Sequence, residues 1–337
     1  MDFRPTEDQK ALRDGLRSFC EGMFAADRLP ELEKSLGLDR ALWKEIADMG
    51  VFGLRVPEAE GGVGLGFSEA VLVFAELGRR LVPGPLAWTQ LAARLVDGAA
   101  AGDTVVGGIE LPGRDAPPAQ PIVVEHLASL DVLLVLRPEG IERVDPRRVG
   151  ASPIEVPLDP LTPIHRVEEL PPGEPLGGAA EAARMRLEGA ALVAGQQLGL
   201  AEGALELANA YAKEREQFGR PIGGFQAVKH MLAEMFVHQE AARAGAYNAG
   251  ATLDAPEVAD VRRAVSSAKV TAGEAAIRNA RACIQVHGGM GFTWEVVAHY
   301  YLKRAWVLEN CFGNRDEHAE RIADLFDAAA PDGRGDA

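Results

Sequence analysis

The chain has 337 residues, of which 47% are apolar and 25% charged, a globular balance that excludes a largely disordered, collagen-like or coiled-coil protein. Its 35 Lys and Arg against 50 Asp and Glu give a net charge of −15, which argues against a nucleic-acid-binding protein, because such proteins cluster basic residues. Three cysteines without a close pair and the lack of a long apolar stretch predict a cytoplasmic protein with no disulfide, no metal site and no membrane span.

Apolar residues at helical spacing dominate residues 1–101, which we expect to form an N-terminal helical domain. Helices are predicted over residues 6–24, 39–49 and 67–81, with Thr6 and Asp39 as N-caps of the first two. Residues 56–66 contain a proline and four glycines, so they are predicted to form a connecting loop.

Proline density sets the middle of the chain apart, because residues 101–180 contain 13 of the 21 prolines. Short apolar runs at residues 104–109, 121–124 and 132–136 are of strand length and are separated by turn residues. We therefore expect a shortened middle β domain over residues 102–180.

Long helical patterns return after the prolines end, at residues 183–214, 224–253 and 256–287, with a fourth helix after Glu295. Four such helices predict an antiparallel bundle over residues 181–328, followed by a flexible tail over 329–337. The predicted fold class is mainly α with a small middle β domain.

The segment REQFGRPIGGFQ, residues 215–226, joins two of the long helices. As structure alone it is a helix stop, a tight turn and a new helix start. Its bare glycine backbone beside Arg215 and Arg220 also suits close approach of a phosphate, which the N-terminus of the following helix would attract.

The segment QVHGGMGFTWE, residues 285–295, follows the third long helix. As structure alone it is a helix C-cap and turn. It is not a dinucleotide-binding fingerprint, because no strand precedes it, and His287 has no partner at metal-ligand spacing.

Taken together, these two segments, their order and the following HYYLKRAW run resemble the C-terminal domain of the acyl-CoA dehydrogenase superfamily. The N-terminal pattern is similar to that family too, from the DF..T..Q opening to the stretch between Trp43 and Gly66. The resemblance implies an N-terminal helical domain, a middle β domain and a C-terminal four-helix bundle.

The resemblance implies FAD as cofactor, an acyl-CoA thioester as substrate, a tetrameric assembly and electron-transferring flavoprotein as acceptor. In the family a glutamate removes the α proton while a hydride leaves Cβ for the flavin. The positions that match contacts to the FAD phosphates and adenosine end are Arg215, Phe218 and Gln226. The positions that match a segment reaching the same cofactor from a neighbouring subunit are Gln285, Gly288 and Gly289.

The catalytic base is where the sequence departs from the family, and its identity stays unknown at this stage. Many members carry it in a Tyr-Glu-Gly-Thr segment, for which this chain has Cys311, Phe312, Gly313 and Asn314. A second branch carries it early in the first long helix, where Gly189 occupies the matching position and Glu188 is one residue, about 100°, away. Glu188 and Glu309 are each expected to be ordinary helix-surface carboxylates.

The middle region also lacks the family's Thr-Glu-Pro and Gly-Ser-Asp run, which wraps the flavin ring. The chain therefore keeps the contacts to the nucleotide end of an FAD shared with a neighbouring subunit. It lacks the catalytic base and the contacts to the flavin ring. This combination resembles the shorter subunit of actinobacterial-type heteromeric acyl-CoA dehydrogenases. Two alternatives stay open, namely a self-sufficient homo-oligomer that uses Glu188 or Glu309 as base, and a scaffold subunit without cofactor.

Overall fold

The computed structural model describes residues 5–34, 38–116 and 121–329, and within them five helices precede the first strand. These helices are α1 (Glu7–Met23), α2 (Leu29–Lys34), α3 (Arg40–Asp48), α4 (Phe67–Arg79) and α5 (Leu86–Ala92). Both predicted N-caps are confirmed: the Thr6 hydroxyl accepts from the Gln9 N–H at 3.2 Å, and the Asp39 carboxylate accepts from the Ala41 N–H at 2.8 Å.

The middle region folds into two small sheets that lie between α5 and the long helices. Three of its strands fall where the sequence predicts them, and four more follow: β1 (Val106–Glu110), β2 (Val123–Glu125), β3 (Val132–Arg137), β4 (Gly140–Val144), β5 (Gly150–Pro153), β6 (Ile164–Glu169) and β7 (Glu174–Gly178). The first sheet has the order β1-β3-β4-β7, with β1 and β3 parallel and the other pairs antiparallel. The second sheet, β2-β6-β5, is antiparallel.

Long helices make up the rest of the described chain, with some bounds different from those predicted. They are α6 (Ala179–Glu214), α7 (Gln226–Asp254), α8 (Val261–His287), α9 (Ala298–Glu309) and α10 (Arg315–Ala329). The prediction that the third long helix begins at Pro256 was wrong, because Asp260 caps α8 by accepting from the Arg263 N–H at 3.0 Å. The expected single helix after Glu295 is two helices, broken at the turn that contains Phe312.

The predicted flexible tail lies almost wholly outside the described residues, and its first residue, Ala329, still belongs to α10. None of the helices in the described ranges combines the length and apolarity that a bilayer crossing requires.

The packing of α4 against α6 depends on a row of glycines one turn apart, Gly195, Gly199 and Gly203. A Cβ at Gly199 would lie 1.9 Å from the Ala75 carbonyl oxygen, and one at Gly203 would lie 2.4 Å from that of Arg79. The two helix backbones therefore approach too closely for any side chain on this face of α6, and this contact fixes the N-terminal helices on the bundle.

We predict that Gly199→Ala lowers the free energy of unfolding by about 1–3 kcal/mol or more, because the added methyl group would overlap the α4 backbone. Gly15→Ala is the matched control, since Gly15 lies in α1 with no atom within 4 Å of an added Cβ. That variant should be neutral or more stable by up to ~1 kcal/mol. Equal urea midpoints for the two variants would contradict the proposed contact.

Candidate functional site

The segment between α6 and α7 forms a small exposed hairpin, β8 (Glu216–Gln217) and β9 (Arg220–Pro221). At its tip, Phe218 has a φ of +53° and is 93% exposed. Arg220 places its guanidinium 4.1 Å from the centre of the Phe225 ring. Arg215 is exposed and forms no side-chain hydrogen bond or ion pair with the described residues, so its guanidinium is uncompensated by any direct contact within them.

The second predicted segment lies at the same end of the bundle. The His287 ring, at the last residue of α8, stacks on Tyr211 of α6 with centroids 4.2 Å apart. Since Tyr211 lies one turn before Arg215, this contact brings the two segments together. The candidate cofactor residues of both segments are exposed: Arg215, Phe218, Gln226, Gln285, Gly288 and Gly289.

Glycines in these segments leave the backbone open from outside. No atom of the described chain lies within 4 Å of an added Cβ at Gly219, Gly288 or Gly289. Gly219 and Gly288 have positive φ, which explains their identity, but Gly289 has neither a positive φ nor a neighbour. Its missing side chain thus serves no packing against the described residues and leaves room for an external group to approach. In addition, no side chain among the residues that the structure describes caps the N-terminus of α7.

Glu188, expected on the helix surface, is buried instead, with 7% of its surface exposed. Its carboxylate accepts from Arg55 Nη2 at 3.0 Å and from Arg184 Nε at 2.5 Å, so two guanidiniums neutralise it. Glu188 lines a cavity of about 210 Å³ together with both arginines, Met185 and Gln90. The expectation of a surface residue was wrong because Arg55 is 133 positions away in sequence.

Glu309 is half-buried and also differs from the expected surface carboxylate. One of its oxygens accepts from the Arg315 backbone N–H at 3.1 Å. The other is buried, has no hydrogen-bond partner in the described part of the chain and faces α8, where a Cβ at Gly273 would lie 2.6 Å from it. Glu309 therefore points into the bundle and does not line the cavity beside β1.

A cavity of about 420 Å³ lies between β1, β2 and the turn after α9, and Phe312 forms part of its wall. Two carboxylates that sequence reasoning missed line it, Glu110 at the end of β1 and Glu125 at the end of β2. Burial raises the pKa of both carboxyl groups, that of Glu125 to about 7. Their signal in the sequence is a glutamate at the end of each of two apolar strands.

Known proteins are similar to this chain over most of its length. The acyl-CoA dehydrogenase N-terminal domain family matches residues 6–98, and the C-terminal domain family matches residues 178–325. Acyl-CoA dehydrogenase IpdE2 of Mycobacterium tuberculosis is 35% identical over 306 residues, covering 89% of this chain and 92% of that protein. The chain belongs to the acyl-CoA dehydrogenase family. Acyl-CoA dehydrogenase FadE34 of the same organism is 31% identical, covering 96% of this chain but 48% of that protein.

Solved structures have the same fold. One is the ChsE4-ChsE5 complex from Mycobacterium tuberculosis, with a TM-score of 0.82 at 24% identity, covering 98% of this chain and 100% of that chain. Another is the Tcur3481-Tcur3483 steroid ACAD G363A variant, with a TM-score of 0.80 at 25% identity, covering 96% and 99%. The mainly α fold with a small β domain, inferred from the family resemblance, is thereby confirmed.

FAD is the cofactor of this family, and the regions of this chain considered for its two ends differ in chemistry. The uncompensated Arg215, the uncapped start of α7 and the bare backbone at Gly289 suit the phosphates of its nucleotide end. The cavity beside β1 is a poor match for the flavin ring, because no Lys or Arg lines it in the described chain and its charged side chains are Glu110 and Glu125. Glu110 pairs with Arg186 at 3.2 Å, whereas Glu125, once ionised, would repel the negative charge that a reduced flavin carries on its polar edge.

The raised pKa of Glu125 predicts a pH effect on stability. A carboxyl group whose folded pKa is about 7 instead of 4.5 favours the fold when protonated, so its contribution is lost as pH rises through 7. Glu125→Gln should therefore raise the free energy of unfolding at pH 8 relative to pH 5.5, by on the order of 2 kcal/mol compared with the wild type.

Urea unfolding at the two pH values measures this difference. Glu174→Gln, in exposed β7, removes the same charge and serves as the control. Parallel pH dependence of the Glu125 variant and the wild type would contradict the assigned burial.

Proposed function

We propose that this chain is a subunit of a FAD-dependent acyl-CoA dehydrogenase that completes the flavin sites of a longer homologous partner, in an α2β2-type tetramer. One observation carries the proposal. The chain has an exposed, uncompensated apparatus for the nucleotide end of FAD, while the position that matches the family's base holds the buried side chain of Phe312.

The state of the two candidate bases, Glu188 and Glu309, supports this division of labour. Removing the α proton of an acyl-CoA requires a general base within hydrogen-bond reach. Glu188 is neutralised by Arg55 and Arg184, and Glu309 faces α8. The longer partner would therefore supply the base and the contacts to the ring.

The residues of this chain would bind and position the cofactor. The Arg215 guanidinium would neutralise the FAD phosphates, and Gln226 would contact the cofactor from the first turn of α7. Gln285, Gly288 and Gly289 would reach the same cofactor across the subunit interface, where Phe218 would exclude water. FAD, when bound, supplies the hydride acceptor for dehydrogenation.

Two of the similar solved structures support a paired assembly by their names, the ChsE4-ChsE5 complex and the Tcur3481-Tcur3483 steroid ACAD. A third, the electron transferring flavoprotein structure of Acidaminococcus fermentans, has a TM-score of 0.80 and supports such a flavoprotein as electron acceptor. We place the reaction in cytoplasmic β-oxidation of acyl-CoA thioesters.

A visible absorption spectrum of the chain purified alone, and again after coexpression with a longer acyl-CoA dehydrogenase, tests the proposal. We expect flavin bands only in the coexpressed complex, at a subunit mass that contains both chains. Stoichiometric flavin with full turnover in the chain alone would contradict the proposal and favour a homo-oligomer. A colourless complex would favour the scaffold role.

Arg215→Ala tests the nucleotide site within that complex. Loss of a charge-assisted phosphate contact should weaken FAD retention about ten- to hundredfold, or ~1.5–3 kcal/mol. Arg262→Ala, which removes an exposed guanidinium at the start of α8, is the control and should retain FAD normally. Equal FAD dissociation constants for the two variants would remove Arg215 from the site.

A further inference from the structure

Two aromatic rings fill the space between β1 and α6, and each rests on a glycine. A Cβ at Gly108 of β1 would lie 2.4 Å from the Trp88 ring, and one at Gly189 of α6 would lie 2.4 Å from the Phe312 ring. The two rings touch, with centroids 4.5 Å apart. Trp88 and Phe312 therefore form a continuous wall from the sheet to the bundle, which we call the aromatic plug.

Phe312 is held in this place against its backbone preference. Its φ of +56° lies in the left-handed region, which is unfavourable for a bulky side chain. Three hydrogen bonds hold the turn: His318 Nε2 donates to the Phe312 carbonyl at 2.9 Å, and Lys269 Nζ donates to the carbonyls of Cys311 at 2.9 Å and Leu308 at 3.2 Å. Lys269 and His318 are buried, so the clamp is shielded from water.

Trp88 is fixed from the other side by its neighbour in α5. The Thr89 hydroxyl donates to the Val106 carbonyl at 2.9 Å and accepts from the Val106 N–H at 3.1 Å. This pair of bonds ties α5 to the first residue of β1. Both rings of the plug are thus held by polar contacts of adjacent residues.

Only one of the two cavities described above is bounded by this wall. Both rings line the cavity of about 420 Å³ beside β1. The cavity of about 210 Å³ is lined by neither ring but by residues next to the plug and its contacts, Gln90 in α5 and Glu188 beside Gly189. The plug therefore closes the cavity beside β1 on the side that faces α6.

We propose that Trp88 and Phe312 exclude the acyl chain of an acyl-CoA thioester from this subunit, and that removing either ring enlarges the cavity beside β1 enough to admit the chain. The class of ligand rests on the proposed function, whereas the closure of the space does not. Much of the surrounding wall is apolar, including Ile109, Leu111 and Ile122, and would suit an acyl chain once opened.

Calorimetric titration of the chain alone with octanoyl-CoA, and with CoA as headgroup control, tests the plug without flavin or partner. The wild type should bind octanoyl-CoA no more tightly than CoA. Phe312→Ala should bind octanoyl-CoA at least tenfold more tightly than CoA, which corresponds to burying about two methylene groups. Phe326→Ala, which removes a 59% exposed ring from α10, should behave as the wild type.

Phe312→Leu and Trp88→Leu leave smaller voids and keep the test decisive if the alanine variant does not fold. A wild type that already prefers octanoyl-CoA over CoA would overturn the plug, and so would folded variants at both rings without that preference. The flavin spectrum of the coexpressed complex is independent of these titrations, so failure of the plug and failure of the subunit role can be told apart.

Discussion

The bare glycine face of α6 is the constraint on which the rest of the structure depends. Gly195, Gly199 and Gly203 let the α4 backbone approach to a distance that any side chain would prevent. Earlier on the same helix, Gly189 leaves room for the Phe312 ring. The α6 helix thus determines both how the N-terminal helices join the bundle and which ring fills the space between α6 and β1.

Lys269 illustrates how a buried charge can organise a turn. Its side chain is fully buried, and burial lowers its pKa to about 8. The protonated form at neutral pH therefore carries a desolvation cost. Its ammonium group donates to carbonyls at the end of α9, which a helix terminus leaves without partners. The same bonds define the path of the chain into Phe312. The buried ammonium group of Lys269 therefore stabilises the turn that places the Phe312 ring between β1 and α6.

The molecule has two chemically distinct ends. At one end of the bundle the hairpin around Phe218 and the segment after His287 expose positive charge, bare backbone and aromatic surface. Near the sheet, the cavity is lined by carboxylates with raised pKa and closed by aromatic rings. The proposed phosphate-binding side faces outward, and aromatic rings fill the space between β1 and α6. This arrangement agrees with the proposed role of the chain as one member of an unequal pair.

Local signals in the sequence were sufficient for the N-caps, the approximate positions of the first three long helices and the family, because caps, periodicity and glycine turns act over a few residues. The state of the carboxylates was not predictable in this way. Glu188 is buried because Arg55, far away in sequence, folds onto it, and Glu309 faces α8 because of how the helices pack. The sequence by itself determined that Phe312 is no base. Only the tertiary structure decided that its ring meets Trp88 and fills the space between α6 and β1, because that contact joins α5 to the turn after α9 across most of the chain.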